Sequence, residues 1–89
     1  MKVDDTAAAD IIRRLRRAEG QIRGVIGMIE AGRDCSEVVT QLAAVSRALD
    51  RAGFRVISNG LEQCMTSDAD DGTKKADLEQ MEKLFLSLA

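Results

Sequence analysis

Residues 10–29 read Asp10-Ile11-Ile12-Arg13-Arg14-Leu15-Arg16-Arg17-Ala18-Glu19-Gly20-Gln21-Ile22-Arg23-Gly24-Val25-Ile26-Gly27-Met28-Ile29. Within them Ile11, Leu15, Ala18, Ile22, Val25 and Ile29 recur at alternating steps of four and three, with Ile12 and Ile26 beside the row. That spacing predicts an amphipathic helix with a heptad seam. A cap at Asp10, or a start near Thr6, and the stop at Gly32 bound it, so it is expected to end at Ala31. Gly20, Gly24 and Gly27 lie inside it, and each weakens helix propensity by about 0.8–1 kcal/mol relative to Ala. Three such residues point to a second backbone coming close rather than to an open surface.

The pattern restarts at once. Asp34 followed by Glu37 reads as a capping box, with Asp in place of Ser or Thr. Val38, Leu42, Val45, Leu49, Ala52 and Val56 then repeat the same steps, and the periodicity persists to about Cys64. A helix of about 30 residues is about 45 Å long and needs a partner along its whole length. Thr66 to Gly72 is a polar break, after which Leu78, Met81, Leu84, Phe85 and Leu88 mark a short third helix. The chain of 89 residues has no Pro, Trp or Tyr and only two Phe. A chain of that size buries only about 60–65% of its unfolded surface, here without large aromatic side chains to fill a core. The expected fold is therefore all-α. It is a single domain over residues 1–89 with a flexible start at 1–9, and a three-helix protomer that completes an antiparallel four-helix bundle by dimerising.

Composition also narrows function. There is no His, which removes His-dependent catalysis, and nothing in the chain calls for a cofactor or an enzyme active site. No stretch approaches the ~20 continuous apolar residues of a membrane helix. The first residues lack the order of a signal peptide, so a cytoplasmic protein with no membrane partner is expected. Net charge is −2 but unevenly spread: residues 1–33 hold seven basic and five acidic side chains, residues 62–89 three and seven. A basic helix on an acidic protein is either a solvated face or a nucleic-acid footprint.

Cys35 and Cys64 are 29 residues apart. On one straight helix they differ in phase by only about 20° but lie about 43 Å apart, far beyond the ~7 Å Cα limit for a disulfide. Two such helices paired antiparallel across a twofold would bring Cys35 of one copy to Cys64 of the other, giving two identical sites. Cys35 follows the Asp34 cap, where helix N–H groups and Arg33 favour a nucleophile while Asp34 and Glu37 oppose it, and Cys64 suits a resolving partner. The residues alone leave open whether these are sensing thiols or inert core cysteines. A closed zinc site wants four N or S ligands, so two thiols without His leave two-coordinate Cu(I) as the metal alternative.

The segments Arg14-Leu15-Arg16-Arg17-Ala18-Glu19-Gly20-Gln21-Ile22-Arg23-Gly24, Cys35, Thr40-Gln41-Leu42-Ala43-Ala44-Val45 and Leu61-Glu62-Gln63-Cys64 resemble the CsoR/RcnR family of metal- and thiol-responsive repressors, from about residue 10 to 88. The resemblance implies an antiparallel dimer, a dimer-of-dimers tetramer and binding of double-stranded operator DNA without a helix-turn-helix. Copper sensors of the family have a His four residues before the second Cys, where this chain has Gly60, and their supporting Tyr and Glu correspond to Asp34 and Gln80. The nickel and cobalt sensors need several His. What remains is similar to the CstR-like branch, which senses persulfide or polysulfide inducers by bridging its two thiols across the dimer. The formaldehyde sensors rely on an N-terminal proline, which this chain lacks. For DNA, the resemblance carries over to Arg14, Arg51 and Gln41. Arg13, Arg16 and Arg17 join them as phosphate contacts, each releasing counterions.

Overall fold

The computed structural model describes residues 2–89. They form three helices, α1 (Asp5–Glu30), α2 (Cys35–Thr66) and α3 (Asp71–Leu88), and no strand among the described residues. α2 is one uninterrupted rod of 32 residues, about 48 Å long at 1.5 Å per residue. α1 folds back along it, and α3 packs on the far half of α2 without touching α1.

Each helix begins on an aspartate. Asp34 accepts from the Ser36 N–H and Asp70 from the Thr73 N–H, and both sit in extended backbone before the first turn. α1 begins at Asp5, one residue from the Thr6 start and ahead of the Asp10 alternative. Asp4, not Asp10, is the cap and accepts from the Ala7 N–H. Of the stretch 1–9 expected to be flexible, Met1 lies outside the described residues, and Asp5 to Ala9 already form the first turns of α1. The reason is tertiary: Ala7 is 2% exposed against the bundle. The Asp4 N–H also donates to the Asn59 side chain of α2 at 3.2 Å. α1 ends as expected, with Gly32 in the left-handed region at φ 71°, which glycine adopts without strain. The capping box at Asp34 forms only in part. The carboxylate of Glu37 pairs with Arg33 at 2.9 Å instead of reaching back to the cap.

The protomer measures 57 × 24 × 12 Å, with a radius of gyration of 17.2 Å. A compact chain of this length would have a radius near 12 Å, and 12 Å is about the diameter of one helix. The molecule is a single layer of helices. Its accessible surface of 6551 Å² exceeds the roughly 5,100 Å² expected of a compact monomer of this mass.

That shape splits each heptad seam in two. Ile11, Ala18 and Val25 of α1 and Val45 and Ala52 of α2 are buried between the helices. The alternate members, Leu15, Ile22 and Ile29 of α1 and Leu42, Leu49 and Val56 of α2, are 39–60% exposed. Half of each seam closes the α1/α2 hairpin, and the other half forms a bare apolar rail. The glycines divide the same way. Gly20, Gly24 and Gly27 face open space, so within one protomer no backbone approaches them. Close approach occurs instead at Gly53 and Gly60, where an added Cβ would strike the Leu88 side chain and the Met81 sulfur of α3. Phe54 and Phe85 complete the α2/α3 contact with ring centroids 5.7 Å apart.

Candidate functional site

Antiparallel packing of α1 on α2 aligns their basic residues around one cleft. A cavity of about 350 Å³ is lined by Arg14, Arg17 and Gln21 of α1 and by Ala44, Arg47, Ala48 and Arg51 of α2. Four guanidinium groups converge with no carboxylate in the lining. The side-chain oxygen of Gln21 is buried there with no hydrogen-bond donor among the described residues. Such an arrangement is chemically suited to an anion, and guanidinium forks match phosphate oxygens. Arg14 is steered by Asp10, which accepts from its Nε at 3.0 Å and from Arg13 Nη2 at 2.8 Å. The hydrogen bond from Arg14, more than that from Arg13, holds the Asp10 carboxyl below the usual aspartate range. Arg55 approaches the same carboxylate at 3.8 Å.

Of the residues picked out for DNA from sequence, Arg14, Arg17 and Arg51 line this cleft. Arg13 and Arg16 stand on the exposed side of α1. Gln41 lies apart from that cleft. It lines a shallower hollow with Met28, Arg33, Ser36, Glu37 and Thr40, toward the Cys35 end of α2. Arg47 was missed. Its signal was present in the four-residue spacing of Arg47, Arg51 and Arg55, but only the antiparallel register of α1 shows that the first two face Arg14 and Arg17.

The cysteines occupy opposite ends of α2. Both are thiols; Cys35 is exposed and Cys64 is buried. Because α2 is continuous, its own two sulfurs stand about 43 Å apart along the axis. Around Cys35 the chain is open. Arg33, expected to support that thiol, is bound bidentately to Glu37 at 2.9 and 3.1 Å. This pairing raises the pKa of Arg33 and lowers that of Glu37.

Around Cys64 the chain is closed. Asn59, 1% exposed, donates to the Asp4 carboxylate and accepts from the Asp4 N–H and, at 2.8 Å, from Gln63 Nε2. Gln63 also donates to the Lys2 carbonyl. The start of α1 is thus latched to the last turns of α2, next to Cys64. The Ala7 N–H first, and the Asn59 amide second, lower the pKa of the Asp4 carboxyl.

Among the described residues no group of three or more His, Cys, Asp or Glu could hold a metal ion. No described helix is long and apolar enough to cross a membrane. With no His in the chain, imidazole is not a donor here, and the cysteine sulfurs are soft donors. They suit Cu(I) and do not suit the nitrogen-rich sites that nickel favours.

The profile of the metal-sensitive transcriptional repressor family matches residues 7–87. The copper-sensing transcriptional repressor RicR of Mycobacterium tuberculosis is 40% identical over 65 residues, 73% of this chain and 68% of its own. The copper-sensing transcriptional repressor CsoR of Mycobacterium ulcerans is 34% identical over 70 residues, 79% of this chain. The chain spans only 60% of that relative's length. Among solved structures, the nickel-responsive transcriptional regulator InrS superposes with a TM-score of 0.80 at 30% identity, covering 100% of this chain and 98% of that one.

Proposed function

Because this chain belongs to the family of metal-sensitive transcriptional repressors, we propose that it represses transcription from a DNA operator and releases it when Cys35 of one copy is joined to Cys64 of another. The family is one of repressors, not enzymes. The observation that carries the reading is α2 itself: one unbroken rod with an exposed thiol at its first residue, a buried thiol near its last, and bare Leu42, Leu49 and Val56 along the way.

A second copy laid antiparallel on the rail would cover those side chains and the Leu15, Ile22 and Ile29 row. The open glycines of α1 would then face another backbone, and each buried thiol would meet an exposed one. The resulting dimer has two thiol pairs, and pairing of dimers would set several arginine clefts along one duplex. Each cleft would hold backbone phosphates, with Arg47 beside Arg14, Arg17 and Arg51. Binding of this kind weakens steeply with salt.

The inducer is a persulfide or a related reactive sulfur species. The Cys35 thiolate attacks the outer sulfur of RS–SH, forming Cys35–S–SH and releasing RS⁻. The Cys64 thiolate of the neighbouring copy then attacks the Cys35 sulfur, the inter-chain disulfide forms, and HS⁻ departs. The sulfane sulfur is reduced and the two thiols are oxidised. Absence of His and exposure of Cys35 support this reading. For tenfold derepression the bridge has to favour the weak-binding state by only about 1.4 kcal/mol. The latch from Asn59 and Gln63 to Asp4 and Lys2 gives the Cys64 end a mechanical hold on the arginine helix.

The test is intact mass spectrometry with an operator gel shift in parallel. A persulfide donor should convert the wild type to a Cys35–Cys64 inter-chain crosslink and release DNA. Cys35→Ala should bind DNA and stay bound, whereas Arg47→Ala and Arg51→Ala should weaken binding and leave the oligomer intact. Release of DNA from Cys35→Ala by the donor sinks the thiol switch.

The copper-sensing names of RicR and CsoR favour a second reading, in which the same two thiolates take Cu(I). When bound, Cu(I) would supply a soft crosslink between the chains in place of the sulfur bridge.

A further inference from the structure

We infer that Met81 is a third sulfur ligand of this Cu(I) site, completing with Cys64 and the Cys35 of a second copy an all-sulfur, three-donor centre. The inference rests on the copper reading of the thiol pair. Gly60 and Cys64 are both buried and lie one turn apart on the same face of α2. Met81 is the residue that α3 buries, and its Sδ occupies the space a Cβ at Gly60 would fill. A helical side chain leaves its backbone tilted toward the preceding turn, so Cys64 is directed toward the turn that Met81 covers. The absence of a side chain at Gly60 is what allows the thioether to reach the α2 backbone there. Among the described residues no other α3 side chain is buried, and the rest of its apolar face is only half covered.

The chemistry fits one class of ion. Thiolate and thioether are soft donors that select Cu(I). A thioether carries no proton and no charge, so loading the site would release protons from the two thiols alone. It contributes little to harder divalent ions, which prefer imidazole or additional thiolates. Met81 also lies on a different helix from Cys64, so a bound ion would tie α3 to α2.

Met81→Leu keeps the volume and removes the sulfur, and it is studied in the full chain under anaerobic conditions. Circular dichroism and sedimentation should match the wild type. Copper-edge X-ray absorption should fall from three sulfur neighbours to two, and competition with a Cu(I) chelator should show affinity reduced by at least about tenfold. In selenomethionine-labelled protein the selenium edge should report a copper neighbour, which Met81→Leu abolishes. Unchanged affinity, or no copper–selenium contact in the labelled wild type, overturns the inference. Failure of the underlying thiol pair would look different: Cys35→Ala would keep the same copper coordination as wild type. A Met81→Leu protein that has lost tight Cu(I) binding yet still forms the Cys35–Cys64 crosslink with a persulfide assigns Met81 to the metal and not to the bridge.

Discussion

The two ends of α2 carry the same residue on nearly the same face of the same helix and have opposite surroundings. Cys35 stands exposed at the first turn, where the nearest ion pair, Arg33–Glu37, is satisfied within itself. Cys64 is 3% exposed, one turn beyond Gly60 where Met81 of α3 packs, and near the Asn59–Asp4 latch. Helical position does not account for the difference; what the rest of the chain lays over each end does. A thiol that must meet an inducer needs access, and one that must wait for a partner's sulfur needs protection. One rod supplies both because its coverage is uneven.

The same substitution at both ends tests this contrast most strongly. Cys64→Ser places a hydroxyl in a buried site and should cost about 1–3 kcal/mol. Cys35→Ser should change stability by no more than about 0.5 kcal/mol, as an exposed site allows. Denaturant midpoints of the two variants at equal concentration give the comparison directly, and equal midpoints would erase the distinction.

A smaller effect is expected at the latch. Interactions that depress a carboxyl's folded pKa stabilise the protein above the ordinary aspartate pKa, and that stability is lost as pH falls through the lowered value. Asp4 is such a group. Acidification should therefore loosen the start of α1 and the last turns of α2 together, while Asp4→Asn should flatten that pH dependence. Amide hydrogen exchange at Ala7 and around Gln63 is the readout. The Cys35 end should show no matching change through Asp4, because that carboxylate does not touch it.

The smallest effect concerns the Cys35 end alone. Glu37→Gln removes the carboxylate that occupies Arg33. Alkylation of Cys35 should quicken by about two- to fivefold, the range of a single cation near a helix terminus. Cys64 should stay slow in wild type and variant alike, which makes it the internal control.

Much of this was legible in the residues. Four-three spacing, the absence of proline, and caps at Asp34 and Gly32 set the helices. The 29-residue interval between the cysteines ruled out an intrachain bond as soon as α2 was read as continuous. The spacing left two starts for α1, near Thr6 or at Asp10; burial of Ala7 and contact of Asp4 with Asn59 select the earlier one. The glycines divide for a related reason. Helical spacing cannot say which glycine meets a neighbour within the protomer: Gly60 seats Met81, whereas Gly20, Gly24 and Gly27 face open space that only a second copy could fill. That Arg47 and not Gln41 lines the arginine cleft depends on how α1 lies against α2.

Residue order alone fixes the helices, the apolar seams along them and the separation of the two sulfurs, since each follows from a repeat of about 3.6 residues and a rise of 1.5 Å. Which half of each seam is covered, which thiol is sheltered and which four arginines surround one cleft emerge from the packed fold. Those are properties of register between helices, and a local period carries no information about what lies across from it.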